Sequence, residues 1–201
     1  MHKVFISFHH ADLEYKDALV SFNQTNQIFI DRSVDTGEIS DALSDQEIRE
    51  KIRDDYLRDT TVTVLLVGEN TRGRKHVDWE IYSSMIDGKI NKKSGILVIL
   101  LPNANPGNTW TAAHTSEKSV IYSDCKTWMS VTTRTDYEDR YPFVPRRIID
   151  NLLNKEAKVS VVPWSRLTAG TLSLLLENAF EAKSTNKYDL SRPMRRANTP
   201  L

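Results

Sequence analysis

Val62-Thr63-Val64-Leu65-Leu66-Val67 and Ile96-Leu97-Val98-Ile99-Leu100-Leu101 decide the fold of this chain. Both runs are too continuously apolar for a sheet with one wetted face, and they suit parallel strands covered by helices on both sides. Between them Val77, Ile81 and Met85 recur every four residues and predict a crossover helix. Working toward the start, Val4 to Phe8 reads as a strand, His9-His10-Ala11-Asp12 as a polar loop, and Leu13, Ala18, Leu19 and Phe22 as the apolar side of a helix. Ile28-Phe29-Ile30 is a second short strand ending at Asp31, followed by a polar loop through Gly37 to about Leu43. Ser44-Asp45-Gln46-Glu47 has the form of a capping box, and Ile48, Ile52 and Tyr56 give the helix after it one buried stripe. Working toward the end, Ile148, Ile149, Leu152 and Leu153 predict a helix, Val159 to Val162 a strand, and Leu172, Leu175, Leu176, Ala179 and Phe180 a last helix. This alternation predicts an α/β fold: a doubly wound, mainly parallel five-stranded sheet flanked by helices, flavodoxin-like, with right-handed connections.

Two segments depart from the alternation. Residues 102–144 are polar and broken by Pro, Gly and Asn, yet carry Trp110, Tyr122, Trp128, Tyr137 and Tyr141. They are expected to form an ordered insertion after the fourth strand, with Ser119 to Tyr122 and Met129 to Thr133 pairing as a small hairpin. From Ser184 the chain holds Lys187, Arg192, Arg195 and Arg196 among few apolar residues, so 184–201 is expected to be a disordered polar tail beyond one α/β domain over 1–183. The 201 residues carry Lys+Arg 27 against Asp+Glu 27, which gives no general pull toward nucleic acid or anionic lipid. No apolar stretch approaches the roughly 20 residues needed to cross a bilayer, and no signal-peptide pattern opens the sequence. The lone Cys125 excludes an intrachain disulfide framework and a Cys-rich zinc module. A cytoplasmic protein without membrane or nucleic-acid partners is the expectation.

Ligands of open parallel sheets collect beyond the carboxyl ends of the strands. Those ends carry Ser7, Phe8, His9 and His10, then Asp31 and Arg32, then Gly68 to Thr71, then Pro102 and Asn103. Arg74 to Ile81 opens the crossover helix beside the same edge. Glu80 borders its buried stripe, so its carboxylate faces the crevice, and Trp79 lies about 100° round the helix. No Walker or dinucleotide glycine motif, G-x-S-x-G elbow or complete set of metal ligands accompanies these residues. Gly68 and Glu69 stand where a receiver domain needs its phosphoacceptor aspartate, and Cys125 has no assigned base.

Lys3-Val4-Phe5-Ile6-Ser7-Phe8-His9-His10-Ala11-Asp12 resembles the first box of TIR domains, an apolar strand ending in Ile-Ser-Tyr/Phe with an Asp shortly after. The Asp31 to Leu43 loop with Gly37 is similar in place to the TIR loop after the second strand. His76-Val77-Asp78-Trp79-Glu80-Ile81 matches the helix that carries the catalytic glutamate of enzymatic TIR domains. Together these cover about the first 100 residues, and the Val4 to His9 start, the third strand Thr60 to Gly68 and the Lys75 to Ile81 run resemble the bacterial TIR-like group that includes the ThsB proteins of Thoeris antiphage defence. The resemblance implies an NAD-cleaving enzyme, with NAD+ as substrate and no cofactor or metal. Its product would be a cyclic or conjugated ADP-ribose that reaches a partner effector by diffusion, and TIR-type contacts between copies would accompany it. It assigns catalysis to Glu80 and substrate contact to Ser7, Phe8, His9, Asp31, His76 and Trp79. Two positions depart from the family pattern, His76 and Asp78, where small residues or cysteine are usual. The alternative is a catalytically silent TIR-like interaction module.

Overall fold

In the computed structural model, which describes residues 1–33, 43–88, 91–107 and 109–199, every strand pairs in parallel with its neighbours. Strand β1 (His2–Ser7) is followed by a turn of 3-10 helix and by helix α1 (Leu13–Asn26), then by β2 (Phe29–Asp31). Helix α2 (Asp45–Lys51) runs on as one π-helical stretch through Tyr56 into β3 (Val62–Val67), and α3 (Lys75–Ser84) crosses to β4 (Gly95–Leu100). Helices α4 (Thr115–Val120), α5 (Arg134–Arg140) and α6 (Arg146–Leu153) lead to β5 (Ser160–Pro163), and α7 (Ala169–Ala182) closes the unit. The sheet order is β2-β1-β3-β4-β5. The expected doubly wound sheet is thus observed, all parallel among the described residues.

The apolar runs are buried on both faces, as their composition demanded. Val4, Ile6, Val64, Leu66, Leu97 and Ile99 pack on one side with Leu19 of α1 and Leu172, Leu175 and Leu176 of α7. Leu65, Val67, Val98 and Leu100 pack on the other with Val77, Ile81 and Met85, and with Ile148 and Ile149 of α6. Phe5 joins a third group of Ile48, Ile52, Leu57 and Trp79. The capping box before α2 is formed: the Glu47 backbone amide donates to Ser44 Oγ at 3.3 Å and the Ser44 amide donates to the Glu47 carboxylate at 2.8 Å. The polar loop expected after Asp31 lies mostly outside the described residues.

Two expectations are corrected. Residues 102–144 hold helices rather than a hairpin. Ser119 falls in α4, which is pinned from below by the buried Glu117 carboxylate, an acceptor for Ser160 Oγ, Asn178 Nδ2 and the Ala113 amide. Thr133, expected to end a hairpin strand, is instead the N-cap of α5, accepting from the Asp136 amide at 3.2 Å. The polar tail is packed through Thr199 rather than disordered. The Tyr188 hydroxyl donates to the Ser94 carbonyl, the Asp189 amide to Asn151, and the buried Met194 joins the Phe5–Trp79 group. Composition misleads here because backbone amides and carbonyls, present in every residue, share the fastening with a few side chains: Arg147 donates to the Arg192 and Pro193 carbonyls, and the Arg195 amide donates to Asp78. Among the described residues no helix is long and apolar enough to cross a membrane.

Candidate active site at the sheet switch point

Strand order alone locates a crevice. The chain leaves β1 toward β2 on one side and leaves β3 toward β4 on the other, so the loops beyond Ser7 and Val67 diverge and open a gap between them. A cavity of about 600 Å³ lies there, lined by Phe5, Ile6, Phe8, His9, His10 and Leu13 from the β1 side and by Arg74, His76, Val77 and Glu80 from α3 and its approach. Asn198 completes the lining from the distant end of the chain.

Asp12 ties the loops of this edge together. Its carboxylate is 1% exposed, accepts from Asn103 Nδ2 at 2.7 Å beyond β4, and meets Thr71 Oγ1 at 3.5 Å beyond β3. Thr71 Oγ1 in turn accepts from the Gly68 amide at 2.9 Å. A Cβ at Gly68 would stand 2.3 Å from an Asp12 carboxylate oxygen, so this first residue after β3 must lack a side chain for the loops to converge.

Helix α3 delivers Glu80 because three of its faces are held. Val77 and Ile81 press on the sheet, Trp79 packs on α2 and Phe5, and Asp78 forms a bidentate ion pair with Arg147 of α6 at 2.9 and 3.0 Å. The remaining direction points Glu80 at the end of β1. There its carboxylate, 6% exposed, accepts from Ser7 Oγ at 2.6 Å, and no ion pair to it forms among the described residues. Burial pushes its pKa up to about 7, and the Ser7 bond opposes that shift only in part. Such a carboxyl is poised between its two forms at neutral pH and lacks a cation. Nearby, His9 is held below the usual histidine range, chiefly by burial and then by Arg74. It presents a neutral imidazole.

Residues 5–106, just over half of the chain, match the family of the Thoeris protein ThsB, TIR-like domain. The chain belongs to that TIR-like ThsB family. No curated protein matches it. Among solved structures it is similar to the TIR domains of the activated Roq1 resistosome directly recognizing the pathogen effector XopQ. That similarity is 13% in sequence with a TM-score of 0.38, over 90% of this chain and 98% of that one. Family membership rests on the sequence match. In this ThsB-family chain the matched region ends just after β4, so α4 to α7, β5 and the packed tail lie beyond it.

Of the residues expected at the site, Phe8, His9, His76 and Glu80 line the cavity together, and Ser7 stands behind Glu80 as its hydrogen-bond donor. Asp31 does not join them. It is exposed at the end of the edge strand β2 and accepts from the Ser33 amide at 2.8 Å, an Asx turn of its own. Trp79 is also absent from the lining: it is 1% exposed and its indole N–H donates to the Arg195 carbonyl at 2.7 Å, which makes it core. It meets the site from behind, through its packing on Phe5 and its edge contact with His76, ring centroids 5.0 Å apart. Arg74, His10 and Asn198 line the cavity as well. Arg74 and His10 lay inside the quoted motifs, whereas nothing local marks Asn198.

Proposed function

We propose that this chain is an NAD-cleaving enzyme of the TIR-like ThsB type in antiphage defence, with Glu80 as its catalytic carboxylate. The observation that carries the reading is a buried glutamate, with no ion pair among the described residues, aimed into a cavity of about 600 Å³ at the switch point of the sheet. Loss of nicotinamide leaves an oxocarbenium-like ribosyl centre, and a carboxylate facing that centre stabilises it electrostatically in a site of low dielectric. Nicotinamide is a good leaving group, so no general acid is required. The pyridinium of NAD+ supplies the positive charge that Glu80 lacks, which favours the ionised carboxylate once substrate is bound. Ser7 fixes the carboxylate's direction. Phe8 offers a ring face to nicotinamide or adenine, and Arg74, His9 and His10 offer donors to the diphosphate.

On this reading the product is a cyclic or conjugated ADP-ribose that activates a separate effector, and neighbouring copies assemble through TIR-type contacts. The test is mass spectrometry of NAD incubated with concentrated protein, and with lysate of phage-challenged cells expressing it, beside Glu80→Gln. Nicotinamide release that disappears in the variant is expected. Folded, assembled protein that releases none in either setting would overturn the enzyme and leave the silent interaction module.

A further inference from the structure

The N-cap of α3 is Arg74, whose side chain has no acceptor atom, and it makes no capping bond. The missing acceptor comes from 123 positions away. The Lys75 amide donates to Asn198 Oδ1 at 3.0 Å, and the Thr199 amide donates to the Gly73 carbonyl at 3.0 Å. Because the partner of the Asn198 carboxamide is an N–H, the atom facing α3 must be its oxygen, which leaves Nδ2 on the other side. Asn198 also lines the Glu80 cavity, and its Nδ2 makes no hydrogen bond among the described residues. The segment that carries it is firmly seated. Met194 is buried beside Trp79, the Arg195 amide donates to Asp78 at 2.9 Å, and Arg147 donates to the carbonyls of Arg192 and Pro193.

We infer that Asn198 is a substrate-binding residue of the Glu80 cavity: its Oδ1 caps α3 and its Nδ2 donates to a hydroxyl or phosphate oxygen of the dinucleotide. The inference rests on the reading of that cavity as an NAD site. It has a steric corollary. The segment covers the first amide of α3, where a helix N-terminus would otherwise attract a phosphate, so the diphosphate is left to Arg74, His9 and His10.

Asn198→Asp separates capping from ligand contact, since aspartate caps a helix at least as well as asparagine but has no N–H to donate. The expected result is an unchanged melting temperature with KM for NAD raised about tenfold or more and kcat within about twofold. Asn198→Ala is expected to raise KM similarly and also to lower the melting temperature. Gly73→Ala gives a second route, because a Cβ there would stand 1.9 Å from the Thr199 carbonyl oxygen and must lift the segment while leaving Asn198 intact. NAD affinity is measured in parallel by calorimetry in a Glu80→Gln background, where turnover does not interfere. Parent-like KM and affinity in Asn198→Asp would overturn the role of Asn198 while leaving the enzyme standing. A parent protein that neither binds nor cleaves NAD would overturn the functional reading, and this inference with it.

Discussion

Glu80 is held in the fold at a cost. A carboxyl whose pKa rises from 4.5 in the unfolded chain to about 7 in the fold binds more protons when folded, so stability falls as pH climbs between those values. The stabilising protonated form is fully present below pH 4.5 and lost above about 7. At about 1.36 kcal/mol per pKa unit the penalty at pH 8 amounts to about 3 kcal/mol. Glu80→Gln keeps an acceptor for Ser7 and removes the charge. It is therefore expected to be more stable than the parent by up to about 3 kcal/mol at pH 8 and to converge on it near pH 4.5. Urea unfolding at the two pH values checks this, and equal stability at pH 8 would show that Glu80 is not ionised at a cost. On the proposed function the same titration governs the rate. If the carboxylate is the working form, kcat/KM rises with pH through an apparent pKa of about 7 and levels off above it.

At the scale of elements, α3 is positioned by a buried ion pair rather than by helix propensity. Arg147 is fully buried, grips Asp78 with both ends of its guanidinium fork, and lies over the Tyr82 ring at 4.3 Å. Arg147→Met leaves the buried Asp78 carboxylate with the Arg195 amide as its one remaining hydrogen-bond donor among the described residues, and it frees the carbonyls of Arg192 and Pro193. A loss of about 3–5 kcal/mol in denaturant unfolding is expected, because removing one partner of a buried pair strands the other. The exposed Lys187–Glu156 pair is the control. Both side chains are solvated, and Lys187→Ala is expected to change stability by less than about 1 kcal/mol. Gly68→Ala acts on another junction: its Cβ would displace Asp12 and loosen three loops at once, so a lowered melting temperature is expected and, on the proposed function, weaker NAD binding by calorimetry.

For the whole molecule, the matched region and the folding unit are different lengths of chain. Residues 5–106 contain Glu80, Ser7 and most of the cavity, yet β4 within them needs β5 on its open edge and α7 over Leu97 and Ile99. A fragment ending at residue 106 exposes Leu97, Ile99, Leu66 and Val64 to water and leaves the β5-facing edge of the β4 backbone unpaired. It is expected to show no cooperative thermal transition, and calorimetry or circular dichroism of the isolated fragment decides the matter. A sharp transition would mean that β5 and α7 decorate a fold that stands without them.

Much of this was legible before any coordinates. Unbroken apolar runs at Val62–Val67 and Ile96–Leu101 can be satisfied only by burial on both faces, and that requirement is local to each run. The same holds for the stripe of α3 and for the Ser44–Glu47 cap. Strand-end placement likewise put Glu80, Phe8, His9 and His76 in one crevice, because the β-α alternation sends every strand's carboxyl end to one edge. The sequence could not tell that Trp79 faces α2 rather than ligand, since neighbouring residues on a helix differ only by rotation and the packing partner sets which side is core. Nor could it show that Asp31 stays on the exposed edge. Least of all could it place Asn198, which reaches Lys75 across 123 positions through a polar segment without periodicity. Hydrophobic patterning is written in neighbouring residues. A hydrogen bond between the first amide of a helix and a side chain far along the chain is written only in the closed fold, where the entropy of bringing distant segments together has already been met by the sheet and its helices.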